Sequence, residues 1–198
     1  MSTFTRLSTL LTRQTRPFNR TISRSRITIT NYNASETSNV HRPTPVLLLR
    51  TNKDDKIPCL WQQKFSELGY SSVQAYIELP QDQEPLQTSY GELKQATTEL
   101  SFFPPLMISF GQVAWRISQK YVSNKPVSGL VMVEASDDDS SSELLQKYPM
   151  SEFEPHFPLL MLSNSNPPPF LDGWVDHSAP HGTDTFGQVV DWMDQVGM

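Results

Sequence analysis

The stretch 104–133, PPLMISFGQVAWRISQKYVSNKPVSGLVMV, constrains the fold more than any other part of the chain. A short apolar run, Leu106–Ile108, leads into a turn at Ser109–Gly111 and a helical pattern over 112–122. A second apolar run, Gly129–Val133, follows at once. Short runs that are apolar throughout, separated by one helix, predict neighbouring parallel strands buried on both faces.

The same alternation extends over most of the chain. Pro45–Leu49 (PVLLL) is an apolar run between turn formers, and Leu60, Trp61, Phe65 and Leu68 form a helical face stopped by Gly69. Val73–Leu79 predicts a further strand, and Tyr90, Leu93, Ala96 and Leu100 a second helix. Pro158–Leu162 (PLLML) is another buried strand, Trp174–Val175 a short last one, and 185–196 a closing helix with Phe186, Val189, Val190 and Met193 on one side. Strands alternating with helices predict an α/β fold: a three-layer αβα sandwich with a mostly parallel sheet, over residues 44–198.

Charge is spread unevenly. Residues 1–35 carry six arginines (Arg6, Arg13, Arg16, Arg20, Arg24 and Arg26) and no acid, the first being Glu36. Taking those six from 16 basic residues leaves 10 against 21 acidic ones, a net charge of −11 for the remainder. A body this acidic repels nucleic acid and anionic membrane surfaces. The first 35 residues, rich in Arg, Ser and Thr with Phe4, Leu7, Leu10 and Leu11 on one helical face, have the composition of a mitochondrial transit peptide. The expectation is a matrix protein whose leader, cut between about residues 24 and 35, is not part of the domain. A disordered basic tail and a chloroplast address are the alternatives. The one cysteine, Cys59, forms no internal disulfide and is expected to be a buried small hydrophobe. No apolar run reaches the roughly 18 residues needed to span a bilayer.

With the segment Met107-Ile108-Ser109-Phe110-Gly111 in the pattern G-x-S-x-G, this order of elements, and a histidine before the last helix, the body resembles an α/β-hydrolase reduced to its core, over about residues 44–196. The resemblance puts Ser109 at the nucleophile position, with Met107 where the first glycine stands. His177 takes the place of the histidine that accepts the serine proton, and His181 is a second candidate. Asn166 stands where the acid usually follows the PLLML strand; the end of the preceding strand offers Asp137, Asp138 or Asp139 instead, and Asp138 represents that set. For the oxyanion hole the resemblance points to Arg50-Thr51 after the first strand and to the Phe110 N–H after the nucleophile. It implies no cofactor and no metal.

Plainer readings stand beside each residue. Ser109 also reads as a turn serine, His177 as a loop histidine, and the run 137–139 as a solvated acidic loop. Trp61, Trp115, Trp174 and Trp192 read as packing residues. Two functions follow. One is a non-catalytic α/β-hydrolase-like protein that serves as an interaction or assembly module with a protein partner in mitochondria. The other is a mitochondrial serine hydrolase acting on a small acyl ester or thioester through Ser109 and His177. Met107, Arg50-Thr51 and Asn166 all depart from the pattern in the direction of the first.

Overall fold

A computed structural model of the chain describes residues 21–24, 26–38, 40–98, 103–135, 141–180 and 182–198. The strands are β1 (Thr21–Arg24), β2 (Ile27–Tyr32), β3 (Arg42–Arg50), β4 (Tyr70–Ile77), β5 (Leu106–Phe110), β6 (Gly129–Val133), β7 (Leu159–Leu162) and β8 (Asp176–Ser178). They form one sheet in the order β1-β2-β4-β3-β5-β6-β7-β8. From β4 to β8 every pairing is parallel, while β1–β2 and β2–β4 are antiparallel.

The helices are α1 (Ile57–Glu67), α2 (Pro85–Thr98), α3 (Gln112–Val122), α4 (Ser142–Lys147) and α5 (Thr185–Gln195). Successive strand residues point to opposite faces, so one sheet makes two cores. Leu47, Leu49, Met107, Met132 and Met161 pack with α2 and α3. Val46, Leu48, Ile108, Val131 and Leu162 pack with α1 and α5. On the second face the Trp61 ring lies edge-on to Phe110 (5.1 Å between centroids) and to Phe186 (5.3 Å), which ties α1 to β5 and to α5.

Local signals explain where α1 begins and ends. The Asp55 carboxylate accepts the Ile57 N–H (2.9 Å), and Pro58 occupies the first turn, where its missing N–H costs nothing. At the other end Gly69 has φ 87°, and a Cβ there would lie 1.8 Å from Val40 O, so only glycine fits the exit into β4. The acidic-loop expectation for 137–139 lies outside the described residues.

The α/β expectation holds: a mostly parallel sheet lies between helices on its two faces. Four details differ from the sequence reading. The turn after β5 comes two residues late, since Ser109 and Phe110 belong to the strand. The last strand is 176–178 rather than Trp174–Val175, and Trp174 is 60% exposed rather than packed, while Trp61, Trp115 and Trp192 are buried. Cys59 is exposed rather than buried.

The fourth concerns the N-terminal boundary. Residues up to 35 were expected to lie outside the domain, but Ile27 and Ile29 are 2% and 4% exposed in the core, and β2 pairs with β4 from Ile27↔Ile77 to Tyr32↔Ser72. Any leader cut that spares the fold must therefore fall before Ile27. A chain starting at Ile27 is expected to melt within a few degrees of the full chain, because β1 pairs with β2 alone. A chain starting at Ala34 forfeits about 3–6 kcal/mol from the two isoleucines and should melt roughly 6 °C or more lower. Thermal unfolding followed by circular dichroism separates the two.

Candidate functional site

The strand-to-helix turn sits at Gly111, which has φ 84° and ψ 159° and immediately precedes α3. That conformation is open to essentially glycine alone, and any other residue there costs about 1–3 kcal/mol. Centred on this turn, the elbow pattern reads Ser109-Phe110-Gly111-Gln112-Val113. The position that carries a nucleophile when G-x-S-x-G forms such an elbow is here a residue with no side chain. Ser109 stands where the pattern has its first small residue, two before the apex.

The expectation of a bend at Ser109 is thus corrected. Ser109 is 0% exposed and lies inside β5, paired with Leu49 of β3 and Met132 of β6. Its side chain points to the α3 face, as strand alternation demands two residues from Met107. There Ser109 Oγ donates to Val131 O (3.3 Å), and Ser118 Oγ shares its hydrogen between Ser109 Oγ (3.2 Å) and Trp115 O (2.8 Å). The hydroxyl fills a small space between strand and helix. Above it, the Trp115 indole N–H closes the turn by donating to Ser109 O (3.2 Å) and to Val133 O (3.0 Å), and the Gly111 N–H donates to Val133 O as well (3.0 Å).

His177 is an exposed residue of β8, not of a loop beyond it. The register runs Ser109↔Met132↔Met161↔His177 straight across the sheet. Three strand spacings of about 4.8 Å put the serine and the imidazole about 14 Å apart, with two methionines between them. His177 Nε2 is 3.0 Å from Ser163 O, and since a carbonyl only accepts, that nitrogen carries the proton. The neighbouring Asp176 carboxylate accepts from Trp192 Nε1 (2.8 Å) and so points away, toward α5. Asp137, Asp138, Asp139 and His181 lie outside the described residues. Asn166 is exposed in the loop after β7.

The oxyanion candidates are engaged in the scaffold. Arg50 Nη1 donates to the carbonyls of Asn52 (3.1 Å), Lys53 (2.7 Å) and Asp55 (2.8 Å), so the guanidinium winds the loop that contains Thr51 around itself. With the Gln74 amide turned to donate to Gln62 Oε1 (2.9 Å), its oxygen accepts from Arg50 Nε (2.6 Å) and Nη2 (3.1 Å). Arg50 also covers the Tyr76 ring at 5.3 Å; burial, with help from Glu78, raises the Tyr76 phenol above its usual pKa against the lowering effect of Arg50. Phe110 is the last residue of β5 and lies before the apex, so its N–H cannot be the donor that follows a nucleophile there.

One carboxylate at the carboxyl edge of the sheet escaped the sequence reading. Glu134, directly after β6, accepts from Asn164 N (2.8 Å) and Nδ2 (3.0 Å) and fastens the loop that leaves β7. Its position next to the apolar run ending at Val133 was the available signal. Among the described residues no group of three His, Cys, Asp or Glu side chains is arranged to hold a metal ion.

No family model and no curated protein matches the chain. Solved structures similar to it include hydrolases. The Cif epoxide hydrolase from Acinetobacter nosocomialis is 11% identical with a TM-score of 0.45, over 59% of this chain and 38% of that protein. A membrane phospholipase A described as a bacterial virulence factor is 15% identical with a TM-score of 0.43, over 59% of this chain and 39% of that protein. Est1E from Butyrivibrio proteoclasticus is 12% identical with a TM-score of 0.41, over 57% of this chain and 49% of that protein. The chain spans less than half the length of each, and at these scores the fold rests on the sheet itself.

Two substitutions report on the turn. Gly111→Ala is expected to cost about 1–3 kcal/mol by forcing a side chain into a glycine-only conformation. Trp115→Phe keeps an aromatic ring but withdraws the indole N–H from Ser109 O and Val133 O and leaves part of the buried indole volume empty, and should cost at least about 1–3 kcal/mol. Urea unfolding measures both, and a double variant showing less than the sum would reflect their shared contact through Val133 O.

Proposed function

We propose that the protein is a non-catalytic α/β-hydrolase-like module that binds a protein partner in mitochondria. The observation that carries this reading is the glycine at the strand-to-helix apex. A hydrolase built on this turn needs a nucleophilic side chain there, a hydroxyl, thiol or carboxylate, with a proton-accepting group within hydrogen-bond reach. Here the apex has no side chain, and Ser109, two residues before it, is buried and bonded to Val131 O and Ser118. The mitochondrial part of the reading rests on the basic, acid-free N-terminal sequence.

A fluorophosphonate probe tests it directly. The wild-type protein is expected to remain unlabelled and to be indistinguishable from Ser109→Ala; labelling that disappears in Ser109→Ala would restore the serine hydrolase. Cell imaging of the full chain fused at its C-terminus to a fluorescent protein should show mitochondrial signal, lost when residues 1–20 are removed.

A further inference from the structure

A groove of about 1000 Å³ runs between α1 and α5 at the carboxyl edge of β6. Trp61 and Phe186 line it together with Leu60, a leucine that is 58% exposed. Glu67 and Glu134 also line it. The one lysine there, Lys64, is laid over the Phe186 ring with its nitrogen 4.9 Å from the centroid. An apolar trough with carboxylates at its margins suits a helix with an apolar stripe and basic flanks.

The chain carries such a segment itself. Phe4, Leu7 and Leu11 stand at i, i+3 and i+7, interleaved with Arg6 and Arg13, and no acid occurs among the first 35 residues. The place where the described chain begins also fits. Thr21 pairs with Thr30, and the Thr30 carbonyl accepts from Gln62 Nε2 of α1 (3.0 Å). β1 is thus the neighbour of a strand bonded to the helix that forms one wall of the groove. Nine residues separate Leu11 from Thr21, and the ten Cα steps can span up to roughly 33 Å, against a helix diameter of about 10–12 Å.

We propose that residues 4–13 of the uncut chain occupy the α1–α5 groove, with Phe4, Leu7 and Leu11 against Leu60, Trp61 and Phe186 and the arginines facing Glu67 and Glu134. This deepens the interaction-module reading and rests on it: the surface meant for a partner is held by the chain's own leader until the leader is removed.

The test uses the full chain with a photoreactive p-benzoylphenylalanine in place of Leu7. After irradiation, adducts are expected on peptides from 57–67 and 185–195, in a band of one chain's mass. Leu60→Asp, on a largely exposed side chain whose loss leaves the core intact, should lower their yield about tenfold, as removing one leucine from an apolar contact does. Glu67→Lys should lower it a few-fold at low salt and less at high salt. Adducts only in a band of two chains would make the occupant a second copy and overturn the proposal. Adducts elsewhere on the domain, or yields indifferent to Leu60→Asp, would overturn it too. The fluorophosphonate result is independent: an unlabelled protein without the groove adduct loses this inference and keeps the interaction reading.

Discussion

All five residues of β5 are buried, and that single fact sets the rest of the architecture. A strand covered on both faces has to hand its chain to a covering helix without leaving polar backbone stranded in the core. The handover is made in one residue, Gly111, whose N–H reaches Val133 O while its own carbonyl receives Trp115 N (3.0 Å). Such a turn demands a backbone conformation that a side chain can occupy only under strain. An enzyme that places a nucleophile there accepts that strain because the side chain is pushed out where a substrate can meet it. With glycine at the apex the strain is gone, and the apex carries no side chain.

Once the turn is relaxed in this way, the groups around it settle into structural use. The Trp115 indole, four residues into the helix, bonds back onto two carbonyls of the sheet. Arg50 coils its loop, Glu134 secures the loop after β7, and His177 holds Ser163 O. Each is a polar group at the carboxyl edge of a parallel sheet, where functional residues of α/β proteins gather. In this chain each is spent on the edge itself. The row Ser109, Met132, Met161, His177 makes the geometric point: residues in register across a sheet are kept apart by strand spacing, and only loops beyond the strand ends can bring them together.

The sheet was legible because its strands read as unbroken apolar runs, PVLLL, GLVMV and PLLML, which alternate with helical patterns as a doubly covered parallel sheet requires. The antiparallel edge was not, since six arginines drew the whole of residues 1–35 into one basic leader. The alternation Ile27-Thr28-Ile29-Thr30 was nevertheless a strand signal of period two, with its isoleucines toward the core. The misplaced serine has a sharper cause. Matching x-S-x-G finds a serine before a glycine, but the physical requirement is for the reacting residue to be the one that turns. LMISF is apolar enough to remain strand through Phe110, and a glycine directly before a helical pattern is itself the turn. Reading the motif by its dihedral demand, rather than by its letters, centres it on Gly111.

The cleft at an elbow gets its reactivity from side chains converging on an exposed apex, and here the apex is buried beneath Trp115. The α1–α5 side presents apolar rings in edge-to-face contact, an exposed leucine, and carboxylates at the margin. Trp61 belongs to both places, packing on Phe110 one residue before the apex and on Phe186 in the groove. A partner pressing on Trp61 therefore pushes against the end of β5 itself, which is fixed on both sides by β3 and β6. Rigid backing of that kind lowers the cost of ordering a groove's walls around any ligand.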